Sequence, residues 1–520
     1  MRYLFTSFLL LIIISLSSCR KDFTTSASNG NLSFSQDTIF FNRVFDNISS
    51  STHHFTVKNT SDKDITVPFI GLERGNNSFY RLNIDGASGK TFEDVTILAK
   101  DSIFIFSEAT IDFNQVNSPD FMYRDKIVFD SGENEQKVEL EALVLDVNLI
   151  RPNRTQVENG FDYEEIILGQ DAEGNDIGIR GTNLTENTTW SNNKPYLIYN
   201  YVGVPNGTTL TIDAGTKLHF HQNSGIIVQN GGTLIVNGAP STTEDLENQV
   251  LFQGDRLEED YAEISGQWGA IWLMQGSINS VINHTTIKNA TIGLLVDSDN
   301  TTQTLQLNNS QIYNTTSFGI LARNAKITAK NMVISNNGDS SFSIANGGNY
   351  QFYHSTIANY WNNSSRQNTT LSLSDSYDIQ GGYISANLHA YFTNCIIYGN
   401  QNLEFSLENL DTSFAFEVQF KNCLMKFNDT TNEFENEPLY DFANSSMYQN
   451  ILFNKAPNFL NTNTSEEPIH LIIGDDSFAN NQADTSVLSD IVLQKDILGV
   501  DRTISASDIG AYQHITFEEN

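Results

Sequence analysis

The chain contains 520 residues and carries a formal net charge of −33 at pH 7. One compact core does not usually extend over this length, so the length predicts at least two domains. The negative charge repels phosphate backbones, which excludes nucleic acid as a partner. With three cysteines in the sequence, a disulfide framework does not hold the fold together.

The first residues have the pattern of an export signal. Met1-Arg2 precede an apolar run from Leu4 to Leu16, which is shorter than the roughly 20 residues of a membrane-spanning helix. The run is followed by Ser17-Ser18-Cys19, and Leu-Ser-Ser-Cys resembles the lipobox of bacterial lipoproteins. The resemblance implies that residues 1–18 are removed and that Cys19 is the lipid attachment site. An ordinary signal peptide with an incidental cysteine is the alternative.

Residues 19–31 are small and polar, which predicts a flexible tether. Residues 32–148 contain short alternating runs separated by Gly, Asn, Asp and Ser, and they predict a β-sandwich of the immunoglobulin (Ig) type. The segment resembles the Ig-like modules of Bacteroidota surface lipoproteins. The runs are 32–34, 38–41, 55–59, 65–67, 102–106, 126–129 and 138–142.

We interpret residues 149–195 as a linker and an N-terminal cap, and the length and spacing of the predicted strands change after them. From 196 to 430 the strands are short and separated by Gly and Asn, and a pattern of polar opening residue, central aliphatic and closing Asn recurs at about 21 to 28 residues. This spacing is that of one coil of a parallel β-helix. The recurring pieces are 283–289, 309–314, 331–336, 354–359, 394–400 and 422–428.

Stacked coils place equivalent residues about 4.8 Å apart, so the central aliphatics are expected to form one inward column. The closing asparagines are expected in the left-handed conformation, with hydrogen bonds between coils. A longer interval before the fifth piece predicts a loop insertion around residues 362–378. The predicted column is Ile287, Ile312, Ile334, Ile357 and Ile397.

Two further segments carry a family resemblance. GQWGAIWL (266–273) is similar to a segment of Bacteroidota β-helix lipoproteins, and DILGVDR (496–502) with DIGAY (508–512) resembles the ending of many secreted β-helix proteins. The family usually has Glu after this Tyr, whereas Gln513 stands here, which puts any role of that carboxylate in doubt. The resemblance implies an all-β chain with an Ig-like β-sandwich, a right-handed parallel β-helix and a C-terminal closing region at 431–520.

Acidic side chains beside a cation are the first candidates for catalysis, because carbohydrate-cleaving β-helices use such groups. Asp375 and Asp378 lie in the predicted insertion with Arg366 nearby, and three glutamates follow the last repeat. Their spacing matches no specific metal loop. Solvated acidic loops are the better interpretation in so negative a chain, and we assign no catalytic residue. The three glutamates are Glu433, Glu435 and Glu437.

Histidines and cysteines are the candidates for metal binding or cross-linking. His219 and His221 flank Phe220 and are expected on one strand face. No third ligand is visible nearby, so we assign no metal and no cofactor. Cys395 and Cys423 occupy equivalent positions in successive repeats, and we expect buried free thiols rather than a disulfide.

Trp268 and Trp272 are expected on one outer strand face, where two indoles stack on sugar rings or pack against the Ig-like domain or a cap. No nucleophile elbow, phosphate loop or dinucleotide fingerprint occurs in the predicted β-helix. The leading hypothesis is therefore a non-catalytic, envelope-anchored binding or scaffold protein for a glycan or another envelope protein. A polysaccharide lyase or glycosidase is the alternative, and a structural spacer is the third.

The residues after Cys19 bear on location. Residue 20 is Arg rather than the Asp of the inner-membrane retention signal, and Arg20-Lys21-Asp22 partly resembles the surface-export signal of the Bacteroidota. We expect a palmitate-bearing protein of the outer membrane, exposed at the cell surface, with the lipid as its membrane contact.

Replacing Cys19 with Ala is expected to abolish membrane anchoring, because buried acyl chains provide about 0.8 kcal/mol per methylene group. The parent should incorporate labelled palmitate and accumulate unprocessed in globomycin, whereas Cys19→Ala should do neither. A parent protein that takes up no label and is processed normally in the drug contradicts the lipoprotein assignment.

Overall fold

The computed structural model describes residues 25–116, 118–243, 246–300, 304–379, 381–463 and 470–517. The predicted signal segment and Cys19 lie outside these ranges. The described residues form strands and short 3-10 helices, with no α-helix among them. Accordingly, none of their helices has the length and apolar character needed to cross a bilayer. The 3-10 helices are Gly75–Asn77, Phe113–Gln115, Gly132–Asn134, Glu259–Tyr261, Pro438–Tyr440, Thr485–Ser489 and Ile491–Gln494.

The chain divides into two compact units, Met1–Asp146 and Val147–Asn520. All seven strand runs predicted in the first unit lie within observed strands. The strands of the first unit are β1 (Ser26–Ala27), β2 (Leu32–Phe34), β3 (Thr38–Phe45), β4 (His53–Asn59), β5 (Ile65–Leu72), β6 (Tyr80–Ile84), β7 (Ala87–Gly89), β8 (Thr91–Ile97), β9 (Ser102–Ala109), β10 (Met122–Phe129) and β11 (Gln136–Leu145).

Two sheets form a sandwich in the first unit. One has the order β1-β5-β10-β11-β3 with β8 also paired to β5, and the other has the order β2-β4-β9-β6-β7. Alternate side chains of both sheets point into a shared core that contains Phe41, Phe55 and Phe129. The period of two in the sequence therefore becomes one buried and one exposed face per sheet.

The second unit contains most of the strands. They are β12 (Asn148–Ile150), β13 (Arg154–Val157), β14 (Gly160–Tyr163), β15 (Glu165–Gln170), β16 (Asp176–Asn183), β17 (Thr188–Trp190), β18 (Tyr196–Ile198), β19 (Tyr201–Val204), β20 (Thr209–Asp213), β21 (Lys217–Phe220), β22 (Gly225–Val228), β23 (Thr233–Asn237), β24 (Val250–Gly254), β25 (Ile271–Leu273), β26 (Ser280–Asn283), β27 (Thr285–Lys288), β28 (Leu294–Asp297), β29 (Leu305–Thr315), β30 (Ile320–Asn337), β31 (Phe342–Tyr353), β32 (Thr356–Asn359), β33 (Leu371–Ser374), β34 (Ser376–Ile379), β35 (Gly382–Ser385), β36 (Leu388–Thr393), β37 (Ile396–Gly399), β38 (Phe405–Glu408), β39 (Phe416–Lys421), β40 (Leu424–Met425), β41 (Tyr448–Gln449), β42 (Leu452–Phe453), β43 (Phe459–Asn461) and β44 (His470–Ile473).

Parallel pairing between successive coils makes the second unit a β-helix with three faces. The first face runs β12-β18-β21-β24-β27-β29-β30-β32-β37-β40-β42. The second runs β16-β19-β22-β25-β28-β30-β31-β33-β38. The third runs β17-β20-β23-β26-β29-β30-β31-β36-β39-β41. Strands β29, β30 and β31 each continue around a corner.

The predicted aliphatic column is confirmed on the first face. Ile287 pairs with Ile312, which pairs with Ile334, and the register continues to Ile357 and Ile397. All five side chains are buried in the core of the coil. The repeat therefore marks the inward position correctly, because one coil repeats the same backbone direction at the same point.

The predicted insertion has a different form in the structure. Residues 371–374 are strand β33 of the second face, so the extra length divides into a loop before them and a projecting hairpin of β34 and β35 after them. The parallel coil also extends beyond residue 430, through β41 and β42. Its last coils are covered by packed rings that include Phe427, Tyr440 and Phe442.

Truncating Ile334 to Ala should lower the free energy of unfolding by about 2–5 kcal/mol, because the rigid coil cannot close the resulting cavity. Lys288→Ala, at a partly exposed position on the same face, should cost about 0.5 kcal/mol or less. Ile287→Ala should lower the transition by no more than Ile334→Ala, since stacked repeats share stability with their neighbours. Thermal unfolding followed by circular dichroism measures these effects, and a parent-like Ile334→Ala contradicts the packing.

Candidate functional site

The outward side chains of the first face form a groove beside the C-terminal segment. Because strands alternate, residues between the inward positions also stack into columns. Thr286 pairs with Gln311, which pairs with Val333, and Lys288 pairs with Tyr313. The outer face is thus polar in its earlier coils.

The same face becomes apolar in its later coils and is covered there. Val333 and Ala358 pack against Leu471, Ile497 and Tyr512 of the C-terminal segment. The next coils continue the contact through a second buried cluster. The later part of the region predicted to close the coil folds back along its outer face. The second cluster is Ile396, Leu424, Ile473, Ala479 and Ile509.

The groove lies where this cover ends, and its volume is about 540 Å³. This volume is within the range of small-molecule sites, which run from about 300 to 1,000 Å³. Amide, hydroxyl and phenol groups dominate the polar part of its lining. The lining residues are Lys217, Leu246, Gln249, Leu251, Glu263, Thr286, Lys288, Gln311, Tyr313, Asn314, Val333, Ser335, Asn336, Asn363, His470, Leu471, Ile472, Leu498 and Tyr512.

An asparagine ladder forms one side of the groove. Asn289, Asn314 and Asn336 each have a φ between 53° and 63°, the left-handed conformation that Asn tolerates. The Nδ2 of Asn314 donates to Oδ1 of Asn289 at 2.7 Å, and Asn336 donates to Asn314 at 3.4 Å. The buried Oδ1 of Asn336 has no hydrogen-bond partner within the described residues.

Few charged side chains line the groove, and the charge of Lys288 acts on the carboxyl group of Glu263. Partial desolvation beside the groove raises the pKa of the Glu263 carboxyl group, although much of this residue is exposed, and the nearby Lys288 ammonium partly offsets the effect. Burial also raises the pKa of the Tyr313 phenol, with Glu263 and Tyr512 contributing. Tyr313 is therefore a neutral hydroxyl at physiological pH, suited to hydrogen bonding rather than to proton abstraction.

The C-terminal motif holds the groove wall in place. The buried Arg502 guanidinium donates to Oδ1 of Asn331 at 2.8 Å and to the carbonyl of Lys495 at 2.6 Å. Its other nitrogen donates to the carbonyls of Gly510 and Ala511, both at 3.1 Å. These bonds place the following Tyr512 in the groove. The sequence pattern marked this motif, but its contact surface was not predictable from spacing.

Gln513 stands where the resembling β-helix proteins usually have Glu, and its side chain makes a structural hydrogen bond. Its Oε1 accepts a hydrogen bond from the backbone N–H of Asp508 at 2.9 Å. Its own backbone N–H donates to Oδ2 of Asp496 at 2.8 Å. The side chain thus closes the turn of the motif without a carboxylate.

The prediction that Trp268 and Trp272 share one outer strand face is wrong. Trp268 is 1% exposed and stacks on Phe220 inside the coil, with ring centroids 4.5 Å apart. Trp272 is partly exposed and its Nε1 donates to Oδ2 of Asp297 at 2.8 Å. Trp268 precedes strand β25 (Ile271–Leu273). The alternation of inward and outward side chains holds only within a strand, so it does not predict the direction of the Trp268 side chain.

The two histidines do not form a metal site. His219 is buried beside Gln253, whereas His221 lies beyond strand β21, stacks on Tyr199 and pairs with Asp255 at 2.7 Å. Within the described ranges, no group of three or more His, Cys, Asp or Glu side chains is arranged to hold a metal ion.

The structure also separates the acidic candidates from their cation. Arg366 forms a buried ion pair with Glu404 at 2.9 Å. Asp375 is buried and accepts hydrogen bonds from Ser376 and from the backbone of Leu410. Asp378 is exposed in the projecting hairpin, and the three later glutamates are exposed beyond the last repeat. Arg366 is therefore paired with Glu404 and not with any of the carboxylates expected to act beside it.

Cys395 and Cys423 are buried free thiols, as expected. The backbone N–H of Cys395 lies 3.4 Å from Sγ of Cys423, and burial raises the pKa of the Cys395 thiol. Both thiols therefore pack as small apolar groups in the core.

Comparison with known proteins supports the fold. A family model described as a right handed beta helix region matches residues 206–357, so the coil there is right-handed. No curated protein matches the sequence.

Three solved structures are similar at low identity. The catalytic unit of a GH87 α-1,3-glucanase from Streptomyces thermodiastaticus is 9% identical, with 71% of this chain and 78% of that chain covered and a TM-score of 0.29. The complex of XylC with xylose is 11% identical over 92% of this chain and 88% of that chain, with a TM-score of 0.32. A family 123 glycoside hydrolase from Clostridium perfringens is 11% identical over 21% of this chain and 23% of that chain, with a TM-score of 0.15. Such scores carry no inference about activity.

Lys288→Met should raise the pKa of Glu263 further, because it removes the positive charge that favours the carboxylate. Carbon-13 NMR titration of the glutamate carboxyl groups measures the shift, with Glu263→Gln identifying the resonance. Lys455→Met is the control, since Lys455 is exposed outside the groove. A pKa that falls in Lys288→Met, or rises equally in the control, contradicts the coupling.

Proposed function

We propose that this chain is an outer-membrane lipoprotein, exposed at the cell surface, that binds a glycan in the groove of the first face without cleaving it. The single observation that carries the proposal is the polar lining of the groove beside the tyrosines of its wall. Hydroxyl-rich sugars need many neutral donors and acceptors at a surface, together with apolar ring faces. The partly exposed side chains of Gln249 and Gln311 supply the first requirement, and Tyr313 contributes to both.

A non-catalytic role is favoured by the carboxylates of the groove. Most glycosidases use two carboxyl groups that flank the scissile bond. Among the described residues that line the groove, Glu263 is the single acidic side chain. One carboxyl group orients a sugar hydroxyl, but it does not supply the acid and base pair of hydrolysis.

The location rests on the N-terminal segment. Leu16-Ser17-Ser18-Cys19 has the small residues and the cysteine required for acylation, and the acyl chains would hold the protein at the membrane. We assign the first unit to the Ig-like sandwiches, because β4 and β9 are neighbours in one sheet while β5, β10 and β11 are neighbours in the other.

Gln311→Ala should weaken binding to a glycan by about fivefold, since one hydrogen-bonding side chain is lost from the groove. Gln306→Ala is the matched control, because Gln306 is exposed on the same strand β29 but does not line the groove. An array of defined oligosaccharides, followed by calorimetry with the best one, provides the measurement. Binding that is equal in both variants, or no binding to any glycan, contradicts the proposal.

The alternative, a lyase or glycosidase, is favoured by one observation, the raised pKa of Glu263. A carboxyl group with a raised pKa can act as a general acid. If the protein is an enzyme of this kind, it should release products from the bound polysaccharide, and Glu263→Gln should abolish release. Retention of intact oligosaccharide by the parent supports the binding role and excludes cleavage.

A further inference from the structure

A second pocket, separate from the groove, collects arginines in a strongly acidic chain. It lies in the first coils of the β-helix and has a volume of about 440 Å³. The described lining contains no Asp or Glu. The lining residues are Arg151, Pro152, Asn153, Arg154, Tyr163, Arg180, Tyr199 and Asn200.

Two of the guanidinium groups lie over aromatic rings. The Cζ atom of Arg154 lies 4.5 Å from the ring centre of Phe161, and that of Arg180 lies 4.3 Å from the ring centre of Tyr163. Stacking of this kind uses the face of the guanidinium and leaves its N–H edge available. The antiparallel pairing of β13 with β14 places Arg154 opposite Tyr163, and that of β15 with β16 positions Arg180.

The three arginines have no ion-pair partner among the described residues. Several other arginines are paired with carboxylates, as Arg323 is with Asp297 at 2.5 Å. Two acidic side chains lie near the pocket without lining it. Glu164 accepts hydrogen bonds from the Asn153 side chain at 2.9 Å and from Thr182 at 3.0 Å, and Glu165 stands opposite Arg180 in the pairing of β15 with β16. In a chain of net charge −33, a pocket lined by three arginines and by no acidic side chain is a local excess of positive charge that attracts an anion.

From this convergence we infer that the pocket is a binding site for a sugar that carries a phosphate or sulfate ester. A tetrahedral oxyanion offers three terminal oxygens in different directions, so it accepts hydrogen bonds from three guanidinium groups at once. A carboxylate offers two oxygens in one plane and matches a single guanidinium fork. The pocket is much larger than an inorganic anion, and Tyr199, Asn153 and Asn200 line the space that a sugar ring would occupy.

Calorimetry on the mature protein in detergent at 0.15 M salt tests the site with four probes: glucose 6-phosphate, glucose 6-sulfate, glucuronate and inorganic phosphate. The esters should bind more tightly than glucuronate, and more tightly than inorganic phosphate because the ring adds contacts. Arg151→Gln, Arg154→Gln and Arg180→Gln should each weaken ester binding by about tenfold or more.

Lys455→Gln is the matched control, since it removes one positive charge at an exposed position outside the pocket. It should leave ester binding unchanged. Equal weakening in Lys455→Gln and in the arginine variants would show a general charge effect and overturn the site. Glucuronate binding as tightly as the esters, or no binding of either ester, overturns it as well. Gln311→Ala should not affect ester binding, so this test is independent of the groove.

Discussion

Stacking of coils at the spacing of parallel strands is the constraint on which the second unit depends. Each residue lies directly above its equivalent, so every position becomes a column whose members share one environment. The inward column holds Ile287 through Ile397, and the corner column holds asparagines such as Asn314 with positive φ. Amide side chains bond between coils there, which offsets the backbone cost of the left-handed conformation.

The same constraint produces the groove. Outward positions also stack, and the column that contains Thr286 and Gln311 continues through Val333, Thr356 and Ile396. The apolar coils require a cover, and the C-terminal segment provides it. Arg502 fastens this segment to Asn331, a corner residue of the coil. The groove lies beside the end of this cover, against Thr286, Gln311 and Val333.

Sequence periodicity predicted the residues that recur from coil to coil. It did not predict the conformation of the segments that interrupt this repeat. The isoleucine column and the proximity of the two cysteines followed from equivalent spacing, whereas the free thiols followed from the packing of cysteine as a small apolar residue. Trp268 lies inside the coil because the chain turns before β25, so alternation counted back from Ile271 gave the wrong face. The groove wall pairs residues about 160 positions apart, such as Asn331 with Lys495. No local pattern encodes such a contact, since the packing surface arises only after the coils have stacked.

The distribution of charge connects the two candidate sites. The chain is strongly acidic, so its surface repels anionic polymers and only local cations oppose this repulsion. Lys217 and Lys288 lie in the groove, and Arg151, Arg154 and Arg180 lie in the second pocket. Both sites lie on the same β-helix. A polymer that reaches both sites binds the second one at a high effective concentration, so its affinity exceeds that for either site alone. Repulsion elsewhere on the surface would then confine such a polymer to these two sites.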